Sequence, residues 1–286
     1  MTSIAQSQLE TPSGKGAGDE NFPVGSFLLP RALRPHVAVF YAFARAIDDI
    51  ADNSALAPED KIARLDAFER GVRGEHRGAG LEKAEAMRQS LLQTGITTQH
   101  CCDLVSAFKQ DAVKGRYANW GELIDYCNRS AAPVGRYLLD LHGERTADYP
   151  PSDALCNALQ VINHLQDCAD DYATLNRVYI PEDYLRAEGL GVEILAERQG
   201  GPAFRRVLDR CLAELEPVLI EARRLPLVLK SRRLALESGA IVSLADRIAA
   251  RLAKEDPIAG RVALSKPAFA ATAALGVAQT LLRRAA

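Results

Sequence analysis

Apolar residues recur at three- and four-residue spacing along almost the whole chain, and β-branched runs are few. That period gathers apolar side chains on one face of a helix. The pattern predicts helices near 31–52, 59–73, 81–93, 97–112, 119–142, 151–173, 201–222, 226–255 and 267–284. Pro58, Gly78, Gly80, Gly95, Pro150, Pro151, Gly200, Gly201, Pro202, Pro257 and Gly260 punctuate them. Pro151, followed by Ser152 and Asp153, suits a helix start. No fixed-period repeat is visible, and no low-complexity linker divides the chain after residue 20. The expectation is a disordered tail over 1–20 and one all-α domain over 21–286.

Two stretches break the apolar pattern in the same way. In "FYAFARAIDDIADN", Phe40 to Asn53, an apolar aromatic segment ends in Asp48, Asp49 and Asp52. In "LQVINHLQDCADDYATLNRVYIP", Leu159 to Pro181, Asn163, Asp167 and Asp171 are spaced by four, and Gln160 joins their stripe. Residues four apart share a helix face, so each stretch carries a polar ribbon on an otherwise apolar helix. Two carboxylates about 6 Å apart at an effective dielectric of about 20 repel by roughly 3 kcal/mol. Cations remove that cost. Oxygen-only donors without convergent His or Cys favour Mg²⁺ over zinc. Mg²⁺ takes one or two carboxylates and completes its shell with water and substrate phosphate. Either stripe alone is more often a solvated face or a helix end; two stripes on apolar helices point to a shared site.

Composition changes the picture mainly by exclusion. Of 286 residues 48% are hydrophobic and 25% charged, enough for an ordinary core, and the net charge of −2 speaks against a nucleic-acid partner. Cys101, Cys102, Cys127, Cys156, Cys168 and Cys211 form no Cys-x-x-Cys pair or zinc spacing, so free thiols in a reducing cytosol are expected. "MTSIAQSQLETPSGKGAGDE" lacks the basic and apolar regions of a signal peptide, and no apolar run is long enough to span a bilayer. The expected location is cytoplasmic. "PAFAATAALGVAQTLLRRAA" reads as a packed terminal helix, with contact to the inner membrane face as the alternative, since an apolar face ending in Arg283 and Arg284 would suit it.

"YAFARAIDDIAD" from Tyr41, "YCNRSAAPVG" from Tyr126 and "QVINHLQDCADDYATLNRVYIP" from Gln160 occur in an order that resembles the squalene and phytoene synthase family of head-to-head prenyl transferases. The resemblance covers about residues 20 to 270. It implies an all-α isoprenoid synthase fold with helices around a central cavity, and Mg²⁺-bound diphosphate. By the same resemblance Asp48, Asp52, Asp167 and Asp171 match metal-binding aspartates, with Asp49 in the first motif and Asn163 one turn before the second pair. Arg45 matches a diphosphate-binding arginine. Tyr41 and Tyr126 match cavity tyrosines near the migrating cation. Arg177 and Tyr179 fall where the family contacts phosphate, and Gln160 lies on the second ribbon. Arg261 and Lys266 are candidate late phosphate ligands. Arg45 could instead pair with Asp49, and the tyrosines could be core aromatics. Cys127 and Cys168 read as packing residues, and His36 and His164 as satisfied core or surface histidines.

Departures narrow the resemblance. Pro133 follows the tyrosine-cysteine segment, where it removes a backbone donor and displaces the Arg129 carbonyl. This puts a kink and the polar groups of Asn128 to Ser130 beside the expected cavity, where they could position water. "ENFPVGSFLLPRALRPH" from Glu20 replaces the serine-rich entry common in the family. Together with "DCADDY" these features resemble the bacterial hydroxysqualene synthase branch, found with hopanoid biosynthesis. That branch implies conversion of presqualene diphosphate and water to an alcohol and diphosphate, without NADPH. The alternatives are presqualene diphosphate, squalene or phytoene synthesis from two prenyl diphosphates, and a non-catalytic partner that binds isoprenoid diphosphates or assembles with other squalene-pathway enzymes.

Overall fold

The computed structural model describes residues 9–12 and 29–285. The entry loop from Glu20 through residue 28 and most of the expected tail lie outside the described residues. Residues 9–12 lie on the helical body: Thr11 Oγ1 donates to the Asp49 carbonyl at 3.0 Å, and Arg64 donates to the Leu9 carbonyl at 3.2 Å.

Among the described residues there are thirteen α-helices and no strand. They are α1 Arg34–Asp52, α2 Pro58–Arg73, α3 Glu82–Thr94, α4 Gln99–Asp111, α5 Trp120–Ser130, α6 Ala132–Leu141, α7 Tyr149–Gln166, α8 Cys168–Leu175, α9 Glu182–Ala187, α10 Gly201–Ala222, α11 Leu225–Val228, α12 Arg232–Leu252 and α13 Lys266–Ala285. The all-α expectation holds. Two apolar clusters fill the interior. One centres on α1 to α4 with parts of α6, α7 and α12, and the other on α5, α7, α10 and the far half of α12.

Three expected helices are broken. The one over 119–142 splits at Ala131, whose ψ of −47° accompanies a φ of −125°, and Pro133 lies in the first turn of α6. There its missing N–H costs nothing. The one over 151–173 splits at Asp167 (φ −104°, ψ 10°), where no Pro or Gly gave warning. The Asp167 N–H still reaches Asn163 at 2.9 Å and the Asp171 N–H reaches Asp167 at 2.8 Å, so the polar ribbon continues across the bend. The one over 226–255 becomes α11 and α12.

The terminal helix α13 packs along α12 where both backbones carry glycine. A Cβ on Gly276 would lie 2.3 Å from the Gly239 carbonyl oxygen, so this crossing requires the smallest residue. Leu275 and Leu282 on its outer face remain exposed.

Candidate active site

Helix α1 divides its residues between two environments. Phe43, Ile47 and Ile50 are fully buried, whereas Tyr41, Arg45 and Asp48 line a cavity of about 360 Å³. The lining advances one turn at a time, from Val37 through Phe40, Tyr41, Ala44 and Arg45 to Asp48. That is about 16 Å of helix rise. Helix α7 does the same from Ser152 through Leu155, Cys156, Leu159 and Gln160 to Asn163. Both helices therefore carry their acidic ends to one mouth, above walls completed by Leu104, Phe108, Leu138, Leu234 and Ile241.

The two acidic stripes meet at that mouth. Burial, then the charges of Asp167 and Asp52, push the Asp171 carboxyl up to about 7, against the pull of Arg177. Burial and Asp52 likewise hold Asp48 well above the usual carboxylate range, while Arg45 acts the other way. Asp52 thus raises the proton affinity of Asp171, a carboxylate more than a hundred residues away in the chain. Each stripe is met by arginine. Arg177 Nη1 donates to Asp52 at 2.6 Å and its Nη2 to the Ala51 carbonyl at 2.9 Å. Arg261 grips both oxygens of Asp167 at 2.6 and 3.1 Å. Arg45 lies 3.1 Å from Asp48.

A sharp reversal aims Arg177. Asn176 ends α8 in the left-handed region (φ 51°), which asparagine tolerates. The chain then runs back beside residues 115–117, with the Val178 N–H on the Gly115 carbonyl at 2.8 Å. A Cβ on Gly115 would lie 3.0 Å from the Asn176 carbonyl oxygen, so a side chain there would press the two segments apart by a few tenths of an ångström.

Several expectations are revised. Asp49 does not line the cavity. It is buried, and its Oδ1 accepts from Arg45 Nε at 2.8 Å and Nη2 at 2.5 Å, so it braces the arginine instead of facing a metal. Tyr126 and Tyr179 do not line it either; they belong to a buried ring cluster with Tyr117 and His164. Their hydroxyls point to Asp111, at 2.6 Å from Tyr126 and 3.4 Å from Tyr179. Asn128 is exposed and accepts from Asn157 at 2.7 Å. Lys266 is exposed at the start of α13. Ser130 does face the cavity, and its buried hydroxyl has no hydrogen-bond partner among the described residues. Burial and Arg177 lower His164 to about 3, so its ring is neutral and accepts from Gln160 at 3.2 Å. His36 bonds Ser90 at 2.8 Å, and all six cysteines are free.

Sequence reasoning passed over Asp111 and Glu237. Asp111 is buried at the end of α4, where burial pushes it up to about 6 against Arg177 and the Tyr126 hydrogen bond. It belongs to no periodic ribbon, so nothing in its neighbourhood marked it. Glu237 lines the cavity beside Ser238 on α12. Its signal was legible: an acid on the apolar face set by Leu234 and Ile241.

Among the described residues no three carboxylate, histidine or cysteine side chains converge on one point. The donors at the mouth are oxygens of Asp48 and Asn163 with Asp52, Asp167 and Asp171 close by, a set that fits ions taking one or two protein carboxylates each and filling the shell from a phosphate-bearing ligand. The raised proton affinities of Asp48 and Asp171 mark the charge deficit such ions would meet.

The family model for squalene/phytoene synthase matches residues 16–268. A hydroxysqualene synthase of Rhodopseudomonas palustris is 41% identical over 275 residues, 96% of this chain and 94% of that protein. One of Sinorhizobium fredii is 43% identical over 249 residues, 86% of this chain and 84% of that protein. The crystal structure of squalene synthase HpnC from Alicyclobacillus acidocaldarius superposes with a TM-score of 0.69 at 31% identity, over 79% of this chain and 85% of that one. A dehydrosqualene synthase solved with a ligand shares the fold at TM-score 0.77 and 19% identity, over 93% of each chain.

Proposed function

The chain belongs to the squalene/phytoene synthase family, and from that premise we propose that it converts presqualene diphosphate and water to hydroxysqualene and diphosphate. The observation that carries this reading is the meeting of the two acidic stripes at the mouth of a long apolar cavity. An isoprenoid chain fits the walls and a metal-bound diphosphate fits the mouth.

Asp48 and Asp52 from α1, with Asp167 and Asp171 from the second stripe, would hold Mg²⁺, and Asn163 offers a neutral oxygen beside them. Held by these residues, Mg²⁺ would supply the positive charge that a departing diphosphate needs. Arg45, braced by Asp49, presents a further cation at the cavity wall, and Arg177 and Arg261 fix the carboxylates in position. Below the mouth the walls of leucine, phenylalanine and isoleucine exclude bulk water, so the carbocation rearranges before capture. Tyr41 turns its ring or hydroxyl dipole into the same space. Ser130 would hold the capturing water, because its buried hydroxyl faces the cavity at the α5–α6 break and has no hydrogen-bond partner among the described residues. The rearranged cation accepts the water oxygen, a carbon–oxygen bond forms, and the water proton passes to the released diphosphate. No hydride donor enters this balance, so NADPH is not required. We place the reaction in the cytoplasm at the inner membrane face, beside other squalene-pathway enzymes; among the described residues no helix is long and apolar enough to cross a membrane.

Purified protein, Mg²⁺ and presqualene diphosphate, without nicotinamide, should release diphosphate and yield a product more polar than squalene. Release only from farnesyl diphosphate would assign the condensation instead, and no release from any prenyl diphosphate would leave a binding protein. Ser130→Val should lower the alcohol severalfold relative to total diphosphate release. An unchanged product ratio removes Ser130 from water positioning.

A further inference from the structure

The one-turn helix α11 has two faces. Leu225 is buried and lines the cavity together with Leu234 and Leu29. Leu227, two residues on, is 46% exposed. The C-terminal turn of α13 is tied to the same spot, with Arg284 Nη1 donating to the Pro226 carbonyl at 2.7 Å. It brings Leu282, 73% exposed, and Arg283 alongside. Leu275, two turns back on the same face, is also exposed.

This corner is basic in a chain of net charge −2. "RRLPLVLKSRR", 223–233, holds five cations and no acid. Arg223 is neutralised by Asp246 and Glu216, and Arg224 by Glu221. Lys230, Arg232 and Arg283 are exposed and form no ion pair among the described residues. The neighbouring acids are engaged: Glu144 accepts the backbone N–H groups of Lys230 and Ser231, and Asp148 is held by Arg145.

We propose that this corner, Leu227 and Leu282 ringed by Lys230, Arg232, Arg233, Arg283 and Arg284, is the surface by which the protein sits on an anionic lipid bilayer. Isolated leucines rimmed by long cationic side chains suit the headgroup boundary, where the apolar tips enter and the cations stay with lipid phosphates. A second copy of this chain would place like charge against like charge. The position has a consequence: only the α11 turn separates the bilayer from the apolar cavity wall at Leu225 and Leu234. That consequence rests on the isoprenoid reading above; binding itself does not.

The test is co-sedimentation of the full chain with vesicles of phosphatidylcholine alone, or with about a third phosphatidylglycerol, a composition that supplies the anionic surface. Binding should require phosphatidylglycerol and fall steeply as salt rises from about 0.05 to about 0.5 M. The triple variant Lys230→Glu, Arg232→Glu, Arg283→Glu should lose roughly a hundredfold in partition. The pair Leu227→Asp, Leu282→Asp should lose binding even at low salt. Both variants should release diphosphate from detergent-dispersed substrate at the wild-type rate, which shows that they fold. Equal binding to neutral vesicles, an unaffected triple variant, or a solution dimer that the leucine pair dissolves would each overturn the proposal. Vesicle binding by a wild-type protein that releases no diphosphate would count against the proposed reaction alone.

Discussion

Asp48→Asn and Asp167→Asn each lower diphosphate release by about a thousandfold or more, with the far-ultraviolet circular dichroism unchanged. The two substitutions lie on different helices, yet the same loss is expected because both carboxylates face one charge centre. Stability should move the opposite way from activity. Burial and Asp52 already disfavour the ionised form of Asp48, so an amide there removes repulsion and the metal-free protein should melt no lower than wild type. Wild-type turnover in both variants would refute the assignment of the acidic mouth.

The same electrostatics gives a pH dependence with a definite sign. The Asp171 carboxyl is pushed from the ordinary 3.8 to about 7 by burial and by Asp167 and Asp52. Between those values the folded chain binds more protons than the unfolded one. Stability of the metal-free protein is therefore fully present below about 4 on account of this group and is lost as pH rises through about 7. Adding Mg²⁺ should restore the melting temperature on the alkaline side, and Asp171→Asn should flatten the slope. A metal-free melting temperature that rises across that window would contradict the meeting of the stripes.

The acidic stripes were legible in the sequence because they obey the helical period: 41, 45, 48 and 52 on α1, and 160, 163, 167 and 171 across α7 and α8. Most helix limits were legible from the punctuating Pro and Gly. What remained hidden has two causes. The bend at Asp167 has no breaker residue, and its carboxylate is held by Arg261 from ninety-four residues away, a long-range contact that no local pattern encodes. Tyr126 and Tyr179 belong to recognisable segments, yet their hydroxyls turn to Asp111 and away from the cavity. Segment identity singled these tyrosines out; only packing shows which way they face. Arg45 shows the reverse case, since its i,i+4 pairing with Asp49 and its place in the cavity wall are both true.

Arg177→Leu should cost about 3–5 kcal/mol of stability, a loss that chemical denaturation would measure directly. The guanidinium is almost fully buried, its side chain 7% exposed, among Asp52, Asp111 and Asp171. Burial opposes its charge, but Tyr179, Asp111 and Asp52 hold it protonated. Removing it leaves those carboxylates facing one another without a counter-charge, and the Ala51 carbonyl loses its donor. The remedy should be specific. Adding Asp52→Asn to Arg177→Leu should recover part of the stability, because one of the three carboxylates left without a counter-charge is then neutral. It should recover no activity, because Asp52 belongs to the mouth. Arg177→Lys keeps the charge but cannot bond Asp52 and the Ala51 carbonyl through two nitrogens of one planar group, so it should fall between wild type and Arg177→Leu. If Arg177→Leu unfolded at the wild-type denaturant concentration, the guanidinium would not be the clamp that joins the end of α1 to the segment after α8.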